Sequence, residues 1–221
     1  HRNYNSQMET TDEVLDEIGA GDIPTVIVFN KLDLLDDPML PRILKQAHKG
    51  SISVSAHSLD DVIQLRQHVF SYFEQTMKIN VTGTLLCSQH AARIMIKHQW
   101  GRIINIASVA GMRAVGSGRT AYGTSKGAVI ALTRQMAVEL AEHGITANAV
   151  SPGPVDTPMT KLLHTAKFKQ EYSSAIPMNR YGTVSEVAAA VAFLASEQAS
   201  YITGISMPVD GGFLASGARG I

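Results

Sequence analysis

Two hydrophobic periods alternate along this chain. In residues 6–18 the apolar positions Met8, Val14, Leu15 and Ile18 fit one face of a helix, stopped by Gly19 and Gly21. Residues 25–29 (Thr-Val-Ile-Val-Phe) form a short apolar run typical of a buried strand. Pro38 and Pro41 open a short helix over 41–48, and residues 51–55 alternate as a second strand. From residue 59 to about 98 the pattern is helical, with Val62, Leu65, Val69, Phe73 and Met77 on one stripe. That length exceeds an ordinary helix, so a bend is expected at 80–83, where Asn, a β-branched pair and Gly weaken helix propensity.

Residues 102–107 read as a third strand, followed by a small-residue loop and a helix over 121–143 with core stripe Val129, Leu132, Met136 and Leu140. Residues 145–150 are a fourth strand and 205–209 a fifth, with a helix over 184–196 between them. The polar stretch 158–182 carries no clear period and is about as long as a substrate lid. Strands alternating with helices imply parallel βαβ units and an α/β fold.

Composition narrows the function. The 221 residues balance 19 Lys and Arg against 19 Asp and Glu, which gives no sign of nucleic-acid or acidic-membrane binding. A single cysteine, Cys87, excludes an internal disulfide and reads as a small buried apolar residue, so a cytoplasmic location is expected. The eight histidines show no HxxxH or HExxH spacing, so no metal site is expected. No apolar run approaches the ~20 residues that span a bilayer, and no membrane partner is expected.

The chemistry concentrates in residues 108–126. Ser108 closes the third strand, and Tyr122-Gly-Thr-Ser-Lys126 opens the helix that follows. Four residues are about one helical turn, so Lys126 lies beside Tyr122. A phenol ordinarily ionises near pH ~10, and a neighbouring ammonium stabilises its anion. Such a pair moves protons, with Ser108 hydrogen-bonding the same substrate oxygen.

Five ordered motifs make about two thirds of the chain, residues 73–213, resemble the C-terminal part of the short-chain dehydrogenase/reductase family. They are Asn80-Val-Thr-Gly83, Ile103-Ile-Asn-Ile-Ala-Ser108, Tyr122-Gly-Thr-Ser-Lys126, Ser151-Pro-Gly153 with Thr157, and Val209-Asp-Gly-Gly212. The resemblance implies that Tyr122 is the acid/base and that Ser108 polarises the carbonyl or alcohol. It makes Lys126 the residue that lowers the tyrosine pKa and holds the nicotinamide ribose, and Asn80 the anchor of the water chain behind it. Pro152, Gly153 and Thr157 would face the nicotinamide of NAD or NADP, acting on a small-molecule substrate in a homo-dimer or tetramer.

That family's N-terminal TGxxxGxG turn is not found in these residues. Residues 1–77 instead resemble the C-terminal part of a P-loop GTPase, most like the HflX family. Asn30-Lys31-Leu-Asp33 fits a guanine-reading NKxD loop, and Ser55-Ala56 fits the SA loop after the next strand. The two resemblances together imply a recombined or engineered chimera of fragments 1–77 and 78–221, with a seam near 73–77 and weak or no native activity. The alternatives are a working NAD(P)-dependent oxidoreductase on a secondary alcohol or ketone, and a weak guanine-nucleotide binder. The expected fold is one doubly wound, five-stranded parallel sheet of flavodoxin/Rossmann type. Its preferred strand order is 2-1-3-4-5, with 1-2-3-4-5 as the alternative.

Overall fold

The structure, a computed structural model, describes residues 4–17, 26–35, 37, 39–116 and 118–217. Ile18, Gly19, Gly21, Thr25 and Pro38, named above as helix stops, strand or helix opener, lie outside the described residues. The chain divides into two compact units, Ile23–Gln75 and the remainder.

In the smaller unit, β1 (Val28–Phe29) pairs in parallel with β2 (Ile52–Ser53), and α2 (Leu40–Ala47) lies between them in sequence. Leu44 and Val54 are buried here. Helix α3 (Leu59–Met77) buries no residue, and its expected core positions Val62 and Val69 are 42% and 59% exposed. Two strands of two residues cannot cover a 19-residue helix about 28 Å long, so the stripe stays in water.

The larger unit holds α1 (Tyr4–Glu17), α4 (Gly83–His98), β3 (Gly101–Ile106), α5 (Thr120–Leu140), β4 (Ile145–Pro152), α6 (Pro158–Leu163), α7 (Ala166–Ser174), α8 (Val184–Ala195) and β5 (Ser206–Val209). Strand β4 is central, buried from Ile145 to Ser151, with β3 and β5 parallel on its two sides. An uninterrupted buried strand is what a parallel sheet covered on both faces requires. Asn148 and Ser151 are satisfied inside, while the buried Thr146 hydroxyl has no partner among the described residues. Asn148 Nδ2 donates to Ile202 O (2.7 Å) and its Oδ1 accepts from Ile205 N (3.2 Å), while the Ser151 and Ser206 hydroxyls share a bond of 2.8 Å.

Against β3 and β4 pack α5 and α4, with Ala92, Ile103, Met136, Ala137, Ile145 and Ala147 forming one core cluster. Val129 and Met136 are buried and Leu132 and Leu140 partly so, as the α5 stripe requires. Helix α8 closes the other side through Leu194, and Ala199 of the 3₁₀ turn that follows it joins the same cluster with Val150.

Two expectations are corrected. The described strands form two sheets, β1-β2 and β3-β4-β5, rather than one five-stranded sheet, and the orders 2-1-3-4-5 and 1-2-3-4-5 are not formed among them. Two-residue strands offer few ladder bonds, which limits β1 and β2 to each other. Cys87 is exposed rather than buried. On α4 the buried positions are Ser88 and Ala92, and the residue before Ser88 points about a quarter-turn away.

Candidate active site

The parallel register aligns the carboxyl ends of the three long strands, since Ile106 lies opposite Val150 and Pro152 opposite Val209. The loops leaving that edge carry Ser108, Gly153 and Asp210, in the position where open α/β sheets bind their ligands.

Ser108 has extended backbone and caps a 3₁₀ turn over Val109–Gly111, its Oγ accepting from Ala110 N at 3.1 Å. It is buried, and its hydroxyl hydrogen is committed to no described acceptor. The turn lies against α5 because glycines clear the contact. A Cβ on Gly111 would stand 2.6 Å from the Lys126 carbonyl carbon, and one on Gly123 would stand 3.1 Å from Ala110 O. The backbone between Ser108 and Gly111 is thereby clamped onto the turn of α5 that carries Tyr122 and Lys126.

On that turn the Lys126 ammonium sits 5.8 Å from the Tyr122 ring centroid and donates to Ile106 O at 2.9 Å. Burial pushes the Lys126 pKa down, because an ammonium leaving water loses hydration. Two of its three hydrogens remain beyond the Ile106 bond. Tyr122 is 37% exposed and its hydroxyl has no partner among the described residues.

Beneath the tyrosine, Ser125 Oγ donates to Tyr122 O (2.7 Å) and accepts from Asn80 Nδ2 (2.9 Å). Asn80 belongs to a single π-helical turn, Lys78–Thr82, between α3 and α4. The expected bend at 80–83 is thus a π turn, a feature that often marks functional positions in helices.

Beyond β4, Gly153 N donates to Val209 O (3.0 Å), and a Cβ on Gly153 would meet Asp210 at 3.0 Å. Thr157 caps α6 in a capping box with Thr160, so its hydroxyl is engaged within the helix start. Residues 158–182, expected as irregular, contain α6 and α7, whose N-caps Thr157 and Thr165 were legible but lacked an apolar period. They frame an aromatic cluster. Tyr181 is buried, its hydroxyl 3.0 Å from His164 Nδ1, and Tyr172 meets Tyr181 and Phe213 at centroid distances of 6.1 and 5.7 Å. Lys169 pairs with Asp156 at 2.6 Å and lies over the Tyr181 ring. Tyr172 and Tyr181 are not legible as site residues from motifs; the aromatics clustered in 164–181 were the available signal.

In the smaller unit, Asn30 Oδ1 accepts from Lys31 N (2.7 Å) and from Ala56 N (3.1 Å), and Ser55 Oγ donates to Asp33. The Ser55 hydroxyl holds the Asp33 carboxyl below its usual range. All five residues therefore meet, closing one another's polar groups as Asx-type turns do.

The larger unit's sheet and its loaded edge define a Rossmann-like α/β protein. A family profile described as enoyl-(acyl carrier protein) reductase matches residues 52–214, and the chain belongs to the short-chain dehydrogenase/reductase family. It is 44% identical over 152 residues to the 3-oxoacyl-[acyl-carrier-protein] reductase FabG of Aquifex aeolicus, over 69% of this chain and 60% of that one, so this alignment spans less than two thirds of the relative. A 3-oxoacyl-[acyl-carrier-protein] reductase of Synechocystis is 35% identical over 216 residues, 96% of this chain and 85% of its own. Among solved structures, a gluconate 5-dehydrogenase from Burkholderia cenocepacia in complex with NADP and tartrate matches with a TM-score of 0.63 at 25% identity, covering 86% of each chain.

These matches correct the expected chimera. A reductase that aligns over 96% of the chain leaves no place for a seam at 73–77 or for a separate P-loop GTPase fragment, and the engineered-origin reading falls with it. The motif Asn30-Lys-Leu-Asp33 was too short to carry descent by itself. The expectation of an inactive half-site is overturned by the same finding. Among the described residues no group of metal-ligating side chains occurs, and no helix is long and apolar enough to cross a membrane.

Proposed function

We propose that this chain is a working NAD(P)-dependent oxidoreductase that interconverts a ketone and a secondary alcohol, with a 3-oxoacyl compound as substrate. The observation that carries the reading is the stacking of Lys126 beside Tyr122 on one turn of α5, with the Ser108 turn clamped against it by Gly111. The names of the two relatives support the 3-oxoacyl class.

The residues fit a nicotinamide cofactor at the strand edge. Lys126 retains two free donors for a ribose diol, and Pro152, Gly153 and Thr157 leave β4 at the same strand edge, where they would face the nicotinamide. Bound NAD(P)H supplies the hydride that reaches the carbonyl carbon. Ser108 donates its hydroxyl hydrogen to the substrate oxygen and holds it toward Tyr122. The C=O π bond breaks as the Tyr122 phenol gives its proton to that oxygen, leaving a secondary alcohol, NAD(P)⁺ and a phenolate. Lys126 stabilises the phenolate until water returns the proton. Asn80 fixes Ser125, and Ser125 fixes the backbone under Tyr122, so the phenol is presented from a rigid turn.

Loss of NAD(P)H absorbance with a 3-oxoacyl thioester tests the reading. Tyr122→Phe is expected to lower kcat by about 10²- to 10⁴-fold, the range for general acid catalysis. A wild-type chain with no such rate, or a rate indifferent to Tyr122→Phe, defeats it.

A further inference from the structure

The loop that follows β4 is fixed by a charge pair that proton transfer does not use. Gly182 N donates to Pro154 O (3.0 Å) and Gly182 O accepts from Asp156 N (2.9 Å), so Gly182 forms a parallel bridge with Val155. Those two bonds fall between Gly153, which lies against Asp210, and Thr157, which caps α6. Whatever holds Gly182 therefore sets where Gly153 and Thr157 stand.

One side chain of α8 holds it from both directions. Arg180 Nη1 donates to Glu186 Oε2 (3.0 Å) and to Tyr181 O (3.0 Å), and Arg180 Nη2 donates to Glu186 Oε1 (2.6 Å). The same carboxylate accepts from Thr183 N (2.7 Å) and from the Thr183 hydroxyl (3.1 Å), within the capping box that starts α8. Residues on each side of Gly182 are thus tied to Glu186. The Arg180 fork and the Thr183 bonds hold the Glu186 carboxyl down at about 2, so the clamp stays charged at any ordinary pH.

The two side chains are 46% and 42% exposed, and an exposed ion pair adds little to the stability of a whole chain. A bidentate fork is nevertheless directional, because two parallel N–H bonds fix the angle as well as the distance. Weak global effect with strong local direction suits a device that places a loop.

We propose that Glu186, acting through Arg180 and Gly182, is a positioning residue for the cofactor, holding residues 154–156 so that Gly153 and Thr157 face the nicotinamide. The inference rests on the reading of the loop after β4 as a nicotinamide contact. Without the clamp the loop occupies its binding position for a smaller fraction of the time, and the apparent dissociation constant rises by the inverse of that fraction. Once the cofactor is bound the loop is in place again, so kcat changes little.

The test measures NADH and NADPH dissociation constants by nucleotide fluorescence, together with kcat on a 3-oxoacyl thioester. It compares the wild type with Glu186→Gln, Arg180→Met, the double variant and Arg180→Lys. Glu186→Gln keeps an oxygen for Thr183 N but breaks the charged fork, so the helix cap survives. Each single variant is expected to weaken binding about tenfold, the margin of a charge-assisted bond, with kcat within about twofold. The double variant should be no worse than either single one, since the two residues act as a unit, and Arg180→Lys should retain part of the affinity. Melting temperatures should move by no more than a few degrees. Amide exchange at Asp156 and Gly182, followed by NMR without cofactor, should quicken several-fold in Glu186→Gln. If the wild type binds neither nucleotide but this exchange still depends on Glu186, the clamp stands and the nicotinamide reading falls. Unchanged exchange, cofactor affinity indifferent to Glu186→Gln, or additive losses in the double variant would overturn the proposal.

Discussion

At the scale of single residues, the distance between Lys126 and the Tyr122 ring follows from helical spacing, but the approach of Ser108 does not. That approach depends on Gly111, where a methyl group would stand 2.6 Å from the backbone of Lys126. Backbone on both sides cannot give way as a flexible side chain can. Gly111→Ala is therefore expected to destabilise the chain by about 1–3 kcal/mol, the cost of overpacking a close contact. Urea denaturation measures that loss, and NAD(P)H kinetics should show a fall in kcat as the Ser108 turn is pushed off α5. The Tyr122 and Lys126 pair was legible because one helix supplies both members. Gly111 was not, since it matters through a neighbour brought near only by the fold.

At the scale of elements, the segment after β4 shows why a lid resists reading. Helices α6 and α7 have capping threonines but no long apolar face, because Tyr172 of α7 turns inward onto Tyr181 and Phe213 while Leu162 and Leu163 of α6 stay exposed. The buried Tyr181 has its pKa pushed up to about 12, chiefly by desolvation. Below pH ~10 both folded and unfolded chains keep that phenol protonated, so it adds no pH dependence. Between ~10 and about 12 the unfolded chain releases the proton first, and stability falls by up to ~1.4 kcal/mol per pH unit. Lys126 works the other way, because its lowered pKa means that the folded chain sheds its proton first as pH rises toward its ordinary value of 10.5. Tyr181→Phe is expected to flatten the alkaline decline by about one proton while Lys126 is unchanged. Unfolding free energies measured at a series of pH values between 9 and 12 check this; an identical slope in the variant would mean that another group sets the decline. The π turn at Lys78–Thr82 makes a similar point, since weak helix propensity marked the place but its consequence is the bond from Asn80 to Ser125, 45 residues away.

At the scale of the whole molecule, α/β class and strand succession followed from alternating periods, while sheet membership did not. Pairing is a long-range choice that short strands leave underdetermined, and β1 and β2 illustrate it with two residues each. The larger unit also leaves apolar surface in water: Leu86 and Ile94 on α4 and Val138 on α5 are 49%, 61% and 77% exposed. One exposed aliphatic side chain is ordinary, but three on two helices that contact each other leave apolar surface on both. We propose that a second copy of this chain covers it, as the family resemblance implies. Each such side chain buried in the dimer is worth about 1.5–3 kcal/mol by area, and a lysine there removes that gain and sets like charges together across a two-fold axis. Wild-type protein should sediment as a dimer or tetramer, and Val138→Lys should shift it to the mass of one chain. Its circular dichroism should not change, because Val138 faces water within the protomer. A monomeric wild type, or a Val138→Lys variant that still associates, would remove α5 from the interface.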